Sequence, residues 1–181
     1  MAKRLFIALE LHAGRREALA AVAETIPGVR WLAADQLHLT LAFLGNVDAE
    51  LEQLLRDSLA ELRVPEFSLR LCGVRIFRAR RSAVIWAGVE DAQDGLMALH
   101  GEVLRAVAAA HIEIKRASFH PHITLARLKD APAHKIRSFL KANQSREFGT
   151  VAIEGFTLFS SVLGPVAAVH HVEKRYALVT R

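Results

Sequence analysis

The strongest constraint on this chain is a repeated heptapeptide. His38-Leu39-Thr40-Leu41-Ala42-Phe43-Leu44 returns as His122-Ile123-Thr124-Leu125-Ala126-Arg127-Leu128, changed only at Leu39/Ile123 and Phe43/Arg127. The copies lie 84 residues apart in a chain of 181, close to half its length. A period of that size reads as a duplicated lobe rather than a chance match. Each copy alternates as a β-strand does. Two motif strands are therefore expected in equivalent settings, meeting near a pseudo-two-fold axis.

Side chains of a strand alternate between its faces. His38, Thr40 and Ala42 are expected on one face, with Leu39, Leu41 and Phe43 on the other. Likewise His122, Thr124 and Ala126 should point together, opposite Ile123, Leu125 and Arg127. On this reading Phe43 and Arg127 face away from the histidines. Each motif offers one imidazole and one hydroxyl. A lone histidine in an apolar strand is usually a hydrogen-bonded structural residue. The repetition, with threonine two residues on, argues for chemistry instead. Two imidazoles facing one phosphorus can divide an in-line displacement, one taking a proton and the other giving one. The threonine hydroxyls can hold the negative phosphoryl oxygens. Such a site needs no metal and no other cofactor.

The rest of the chain frames these motifs. Strands are expected at Leu5–Leu9, Leu37–Leu44, Phe67–Ile76, Ala83–Val89, His122–Leu128, Val151–Phe159 and His170–Val179. Helices are expected at His12–Ile26, from an Asp48 N-cap to about Leu62, at Asp91–Ala110 and at Ala133–Ala142. The fold class is α+β: two pseudo-symmetric lobes, each an antiparallel sheet with helices packed outside, flanking a central cleft. No linker or low-complexity tract divides residues 1–181, which are taken as one domain.

Composition narrows the function. Hydrophobic residues are 52% and charged residues 24%, as in an ordinary globular protein. The apolar run after Lys3-Arg4 is too short for a signal peptide and is interrupted by Glu10. No stretch approaches the ~20 apolar residues of a membrane helix. Cys72 is the single cysteine, which excludes an internal disulfide and a cysteine zinc cluster, and its apolar setting suggests a buried thiol. A cytoplasmic location is the default. The net charge of +5 favours an anionic partner. No phosphate-gripping glycine-rich loop is present, so a triphosphate-driven reaction is not supported.

Several segments together resemble the 2H phosphoesterase superfamily, and within it the bacterial RNA 2′,3′-cyclic phosphodiesterases, also called 2′-5′ RNA ligases. They are Arg4–Leu9, Leu37–Gly45, Val84–Val89 and Phe119–Arg127, the last including His120-Pro121. The resemblance implies a bilobal α+β fold with both motifs in the cleft. It implies hydrolysis of a terminal RNA 2′,3′-cyclic phosphate to a 2′-phosphate, with His38 as proton donor, His122 as proton acceptor, and Thr40 and Thr124 on the phosphoryl group. A 2′-5′ ligation without ATP would be the reverse chemistry. Arg127 and Phe43 match family positions near the cleft. His120 is a further candidate on the substrate side, with a structural or supporting role behind His122 as the alternative. The expected partner is RNA with a cyclic phosphate end, or a nucleotide, bound by a monomer that does not engage a membrane.

The final segment departs from the family pattern, which usually carries glycine at Ala167 and tyrosine at His170. His170-His171 is a poor metal pair because neighbours on a strand face opposite ways. His12, His100, His111 and His134 read as solvated. Arg75, Arg78, Arg80 and Arg81 form the densest basic cluster, either a solvated loop or a landing strip for an RNA backbone. Trp31, Phe43, Phe77 and Trp86 are candidates for base stacking, against packing in the core or at its rim. Two other readings remain: a relative acting on small nucleotide cyclic phosphates or 2′-5′ oligonucleotides, and an RNA-binding module without turnover.

Overall fold

The computed structural model describes residues 2–79, 82–91, 94–115, 118–164 and 168–180. In chain order the elements are β1 (Lys3–Glu10), α1 (Ala13–Ala20), β2 (Val29–Trp31), a 3₁₀ turn (Ala34–Gln36), β3 (His38–Val47), α2 (Ala49–Ala60), β4 (Phe67–Arg78), β5 (Ala83–Glu90), α3 (Gly95–Ala109), β6 (His122–Leu128), α4 (Ala133–Asn143), β7 (Glu147–Ile153), β8 (Gly155–Leu163) and β9 (Ala168–Ala177). The α+β class expected from the sequence is the one observed. Arg80, Arg81 and Ala167, noted above, lie outside the described residues.

Local chemistry explains the helix ends. The Asp48 carboxylate accepts from the Leu51 N–H at 3.0 Å, the expected cap of α2. Asp91, expected as the start of α3, caps it from outside: its Oδ2 accepts from Leu96 N at 2.8 Å. The first helix is shorter than expected and stops at Ala20. Beyond it the Glu24 carbonyl accepts from the Trp31 indole at 2.7 Å rather than from a helical N–H. Val22 and Ile26 turn into the core, and the Pro27 that follows disfavours helix at Ile26. Strand β2 and the 3₁₀ turn were not anticipated. The single strand expected over Val151–Phe159 is two, β7 and β8, divided at Glu154.

Among the described residues all nine strands join one sheet, ordered β7-β4-β5-β6-β3-β1-β8-β9 with β2 on β6. The ladders are antiparallel. Two four-stranded halves meet at the motif strands, where a single pair, Leu39 opposite Ile123, forms the seam. The halves interlock. The half carrying His122 takes β4 from early in the chain, and the half carrying His38 takes β8 and β9 from its end.

The helices share one face of this sheet. Leu19 of α1, Leu55 of α2, Leu99 of α3 and Ile136 of α4 join Ile7, Leu39, Leu69, Ile85 and Ile123 in one core beneath both halves. The opposite face carries a smaller cluster, Phe6, Ala8 and Phe159.

Both motif strands bulge at the same position. Ile7 pairs with Ala42 and Ala8 with Thr40, so Leu41 is the extra residue. Ile85 pairs with Ala126 and Trp86 with Thr124, so Leu125 is the extra residue. A bulge places two consecutive residues against one and resets the alternation. Ala42 and Ala126 therefore enter the core instead of standing beside the histidines. Phe43 and Arg127, which simple alternation turns away, come round to the histidine face, where both are exposed.

Candidate active site

A cleft of ≈ 320 Å³ opens over the seam. Strand β3 contributes His38, Thr40 and Phe43, and β6 contributes His122, Thr124 and Arg127. Arg4, Gln36 and His170 also line it. With Leu39 opposite Ile123, the antiparallel register sets His38 across from Thr124 and Thr40 across from His122. The two histidines are then diagonal neighbours, whose backbones stand about 7–8 Å apart. The local two-fold of the seam thus crosses each imidazole with the hydroxyl of the other copy.

Each imidazole is held in the same way. Nδ1 of His38 lies 2.8 Å from the Gln36 carbonyl, and Nδ1 of His122 lies 2.7 Å from the His120 carbonyl. A carbonyl only accepts, so each Nδ1 carries the hydrogen and each Nε2 is left for other chemistry. His120 serves through its backbone; its exposed side chain is absent from the cleft lining and stands 6.4 Å from the Phe77 ring.

The surroundings of the two copies differ. His38 packs among Phe6 (5.2 Å between ring centroids), Phe159 (6.4 Å) and His170 (5.4 Å). The His38 pKa is pushed down to about 4, chiefly by burial and also by the charges of His170 and His122, against the Gln36 hydrogen bond, which raises it. His122 stands edge-on to Phe77 at 5.1 Å and at a steep angle to Trp86 at 5.9 Å. Phe77 and Trp86 stack on one another at 4.5 Å, with the Arg75 guanidinium over the indole.

His170, noted in the sequence only as a departure from the family's tyrosine, lines the cleft. It meets Phe6 edge-on at 4.9 Å and His38 at 87°. Its Nδ1 is buried without a partner, and burial lowers its pKa. The tyrosine of the resembling family at this position was the available signal. Gln36 ties this side together: its carbonyl holds His38 and its amide donates to the Ala168 carbonyl at 3.3 Å, two residues before His170.

Other expected residues lie elsewhere. Trp31 packs edge-on against Phe139 at the core's rim. His100 is not solvated; it stacks on Phe119 at 3.8 Å, and burial lowers its pKa. Cys72 is buried, and burial raises its thiol pKa. Among the described residues no three His, Cys, Asp or Glu side chains converge as metal ligands would. Nor is any described helix long and apolar enough to cross a membrane.

The chain is similar in sequence and fold to known proteins. Residues 13–164 match the family model described as the 2′-5′ RNA ligase superfamily. The RNA 2′,3′-cyclic phosphodiesterase of Escherichia coli K12 is 39% identical over 132 residues, 71% of this chain and 73% of that protein. That of Thermotoga maritima is 31% identical over 179 residues, covering 93% of this chain and 92% of the relative. The crystal structure of E. coli LigT complexed with 3′-AMP superposes with a TM-score of 0.79 at 32% identity, covering 98% of this chain and 99% of that one.

Proposed function

Because the chain belongs to the 2′-5′ RNA ligase superfamily, we propose that it hydrolyses the terminal 2′,3′-cyclic phosphodiester of RNA to a 2′-phosphomonoester, using His38 and His122 and no cofactor. The observation that carries this reading is the pair of imidazoles fixed through Nδ1 at one cleft, each crossed with a threonine of the other copy. Relatives named RNA 2′,3′-cyclic phosphodiesterase, one of them 39% identical, support the substrate.

In the proposed reaction His122 Nε2 takes a proton from water as the water oxygen bonds to phosphorus. The bond from phosphorus to the ribose 3′-oxygen breaks, and His38 Nε2–H protonates the departing oxygen. Thr40 and Thr124 donate to the non-bridging oxygens, with Arg127 and Phe43 as rim contacts. The His120 carbonyl fixes the tautomer of His122. Without substrate His38, with its pKa held to about 4, is neutral near pH 7. The phosphodiester anion favours imidazolium, so substrate binding recruits the proton that His38 later gives away. A 5′-hydroxyl in place of water forms a 2′-5′ linkage by the same displacement, without ATP.

The proposal places residues 1–181 in the cytoplasm as one catalytic unit and a monomer. The single buried thiol and the positive net charge fit that setting.

Incubation with an oligoribonucleotide ending in a 2′,3′-cyclic phosphate should yield the 2′-phosphate, unaffected by a chelator. His38→Ala and His122→Ala should each lower kcat by about 10²–10⁴-fold. Full activity in either variant contradicts the mechanism.

A further inference from the structure

Arg127 lines both the cleft and a second groove. This groove, ≈ 470 Å³, follows the β2–β6 ribbon and is lined by Gly28, Val29, Arg30, Arg127, Leu128 and Lys129. Its lining includes three cations and no carboxylate; Asp130 follows Lys129 but does not line it.

Three features make this basicity specific. The Leu125 bulge brings Arg127 onto the face of His122 and Thr124, and Lys129, two residues on, continues that row. Arg30 pairs directly across from Arg127. Residues directly opposite on adjacent strands share a face, so the two guanidinium-bearing side chains stand on the same side of the ribbon. Arg127 and Lys129 also make no ion pair among the described residues, whereas one cation on each of β1, α2, β4 and β9 does. Lys3, Arg56, Arg70 and Arg175 are tied to Glu52, Glu173, Glu90, Glu147 and Glu10.

A 2′,3′-cyclic phosphate ends an RNA strand, so the rest of the strand leaves from the 5′ side of the terminal ribose. Thr124 to Lys129 spans about 15 Å of strand, long enough for more than one backbone phosphate. We propose that the β2–β6 groove is a second binding site, for the phosphates of the RNA upstream of the reacting end, with Arg30 and Lys129 as its cations and Arg127 joining it to the cleft. The proposal rests on the cyclic phosphodiesterase reading. It makes the enzyme selective for strand ends over free nucleotides, and it places the backbone track on β2–β6 rather than on the β4–β5 connection.

The test compares kcat/KM for a short oligoribonucleotide ending in a 2′,3′-cyclic phosphate with that for adenosine 2′,3′-cyclic phosphate, across a salt series. In Arg30→Gln/Lys129→Gln the oligonucleotide should lose roughly tenfold, and its salt slope should flatten by about 0.7 per phosphate contact removed. The mononucleotide rate, which also reports folding, should not change. An unchanged oligonucleotide rate overturns the proposal. So does an equal loss on both substrates, or a selective loss that appears instead in Arg75→Gln/Arg78→Gln. If the wild type hydrolyses neither substrate, the catalytic reading fails. The groove is then judged by binding of the same oligonucleotide with a 3′-phosphate end: weaker, less salt-dependent binding by the double variant sustains it, and unaltered binding overturns it.

Discussion

Burial among Phe6, Phe159 and His170 makes His38 a poor proton acceptor, with a pKa of about 4 against an ordinary 6.5. The sign of the consequence follows from linkage. Below pH 6.5 the unfolded chain takes up a proton that the folded chain refuses. The folded state is therefore penalised increasingly as pH falls from 6.5 to about 4, by on the order of 3 kcal/mol in all, and is unpenalised above that window. His170→Tyr removes one charged neighbour but leaves the burial. Imidazole titration by NMR should therefore place His38 near 4 in the wild type and higher in the variant, still below its ordinary value. An unmoved His38 in His170→Tyr contradicts the contact. Residue identity was legible where the repeat marked it, at His38, Thr40, His122 and Thr124. His170 was visible as an oddity, but only the pairing of β9 with β8, and of β8 with β1, brings it to the cleft.

At the scale of elements, the bulges at Leu41 and Leu125 decide which side chains see the cleft. Strict alternation turned Phe43 and Arg127 away. The signal it overlooked is the Leu-Ala pair in both copies, two adjacent residues that are both buried. Strand β2 was missed for a different reason. At three residues it is too short to show a period, and it is held by partners far along the chain: Lys129 N donates to the Gly28 carbonyl at 2.8 Å, and Leu32 N to the Leu125 carbonyl at 2.8 Å. Gly28 enters this ribbon at φ 74°, and a Cβ there would collide with the Lys129 carbonyl oxygen. Gly45 has a similar φ of 73° with nothing within 4 Å of its would-be Cβ. Gly45→Ala should therefore show backbone strain alone, about 1–3 kcal/mol. Gly28→Ala should lose clearly more, because backbone must also move. Denaturant midpoints of the two variants check this, and equal losses contradict the close approach.

At the scale of the molecule, one sheet with helices on a single face leaves the other face free for a site spanning both halves. The duplication could be read from the sequence because the motif repeats. The interlocking of the halves could not, since the positions of β4 and β8 follow from pairing partners rather than local pattern. The same topology makes the copies unequal: His38 packs beneath the β1–β8–β9 half, and His122 stands beside the Phe77–Trp86 pair. The central claim is that two residues related by the pseudo-two-fold do opposite work, His38 giving a proton and His122 taking one. A cyclic substrate whose 3′-oxygen is replaced by sulfur tests it most directly, because a thiolate departs without being protonated. The account predicts that sulfur restores turnover in His38→Ala to near the wild-type rate on that substrate, while His122→Ala stays slow. Rescue of His122→Ala instead, or of neither variant, contradicts it.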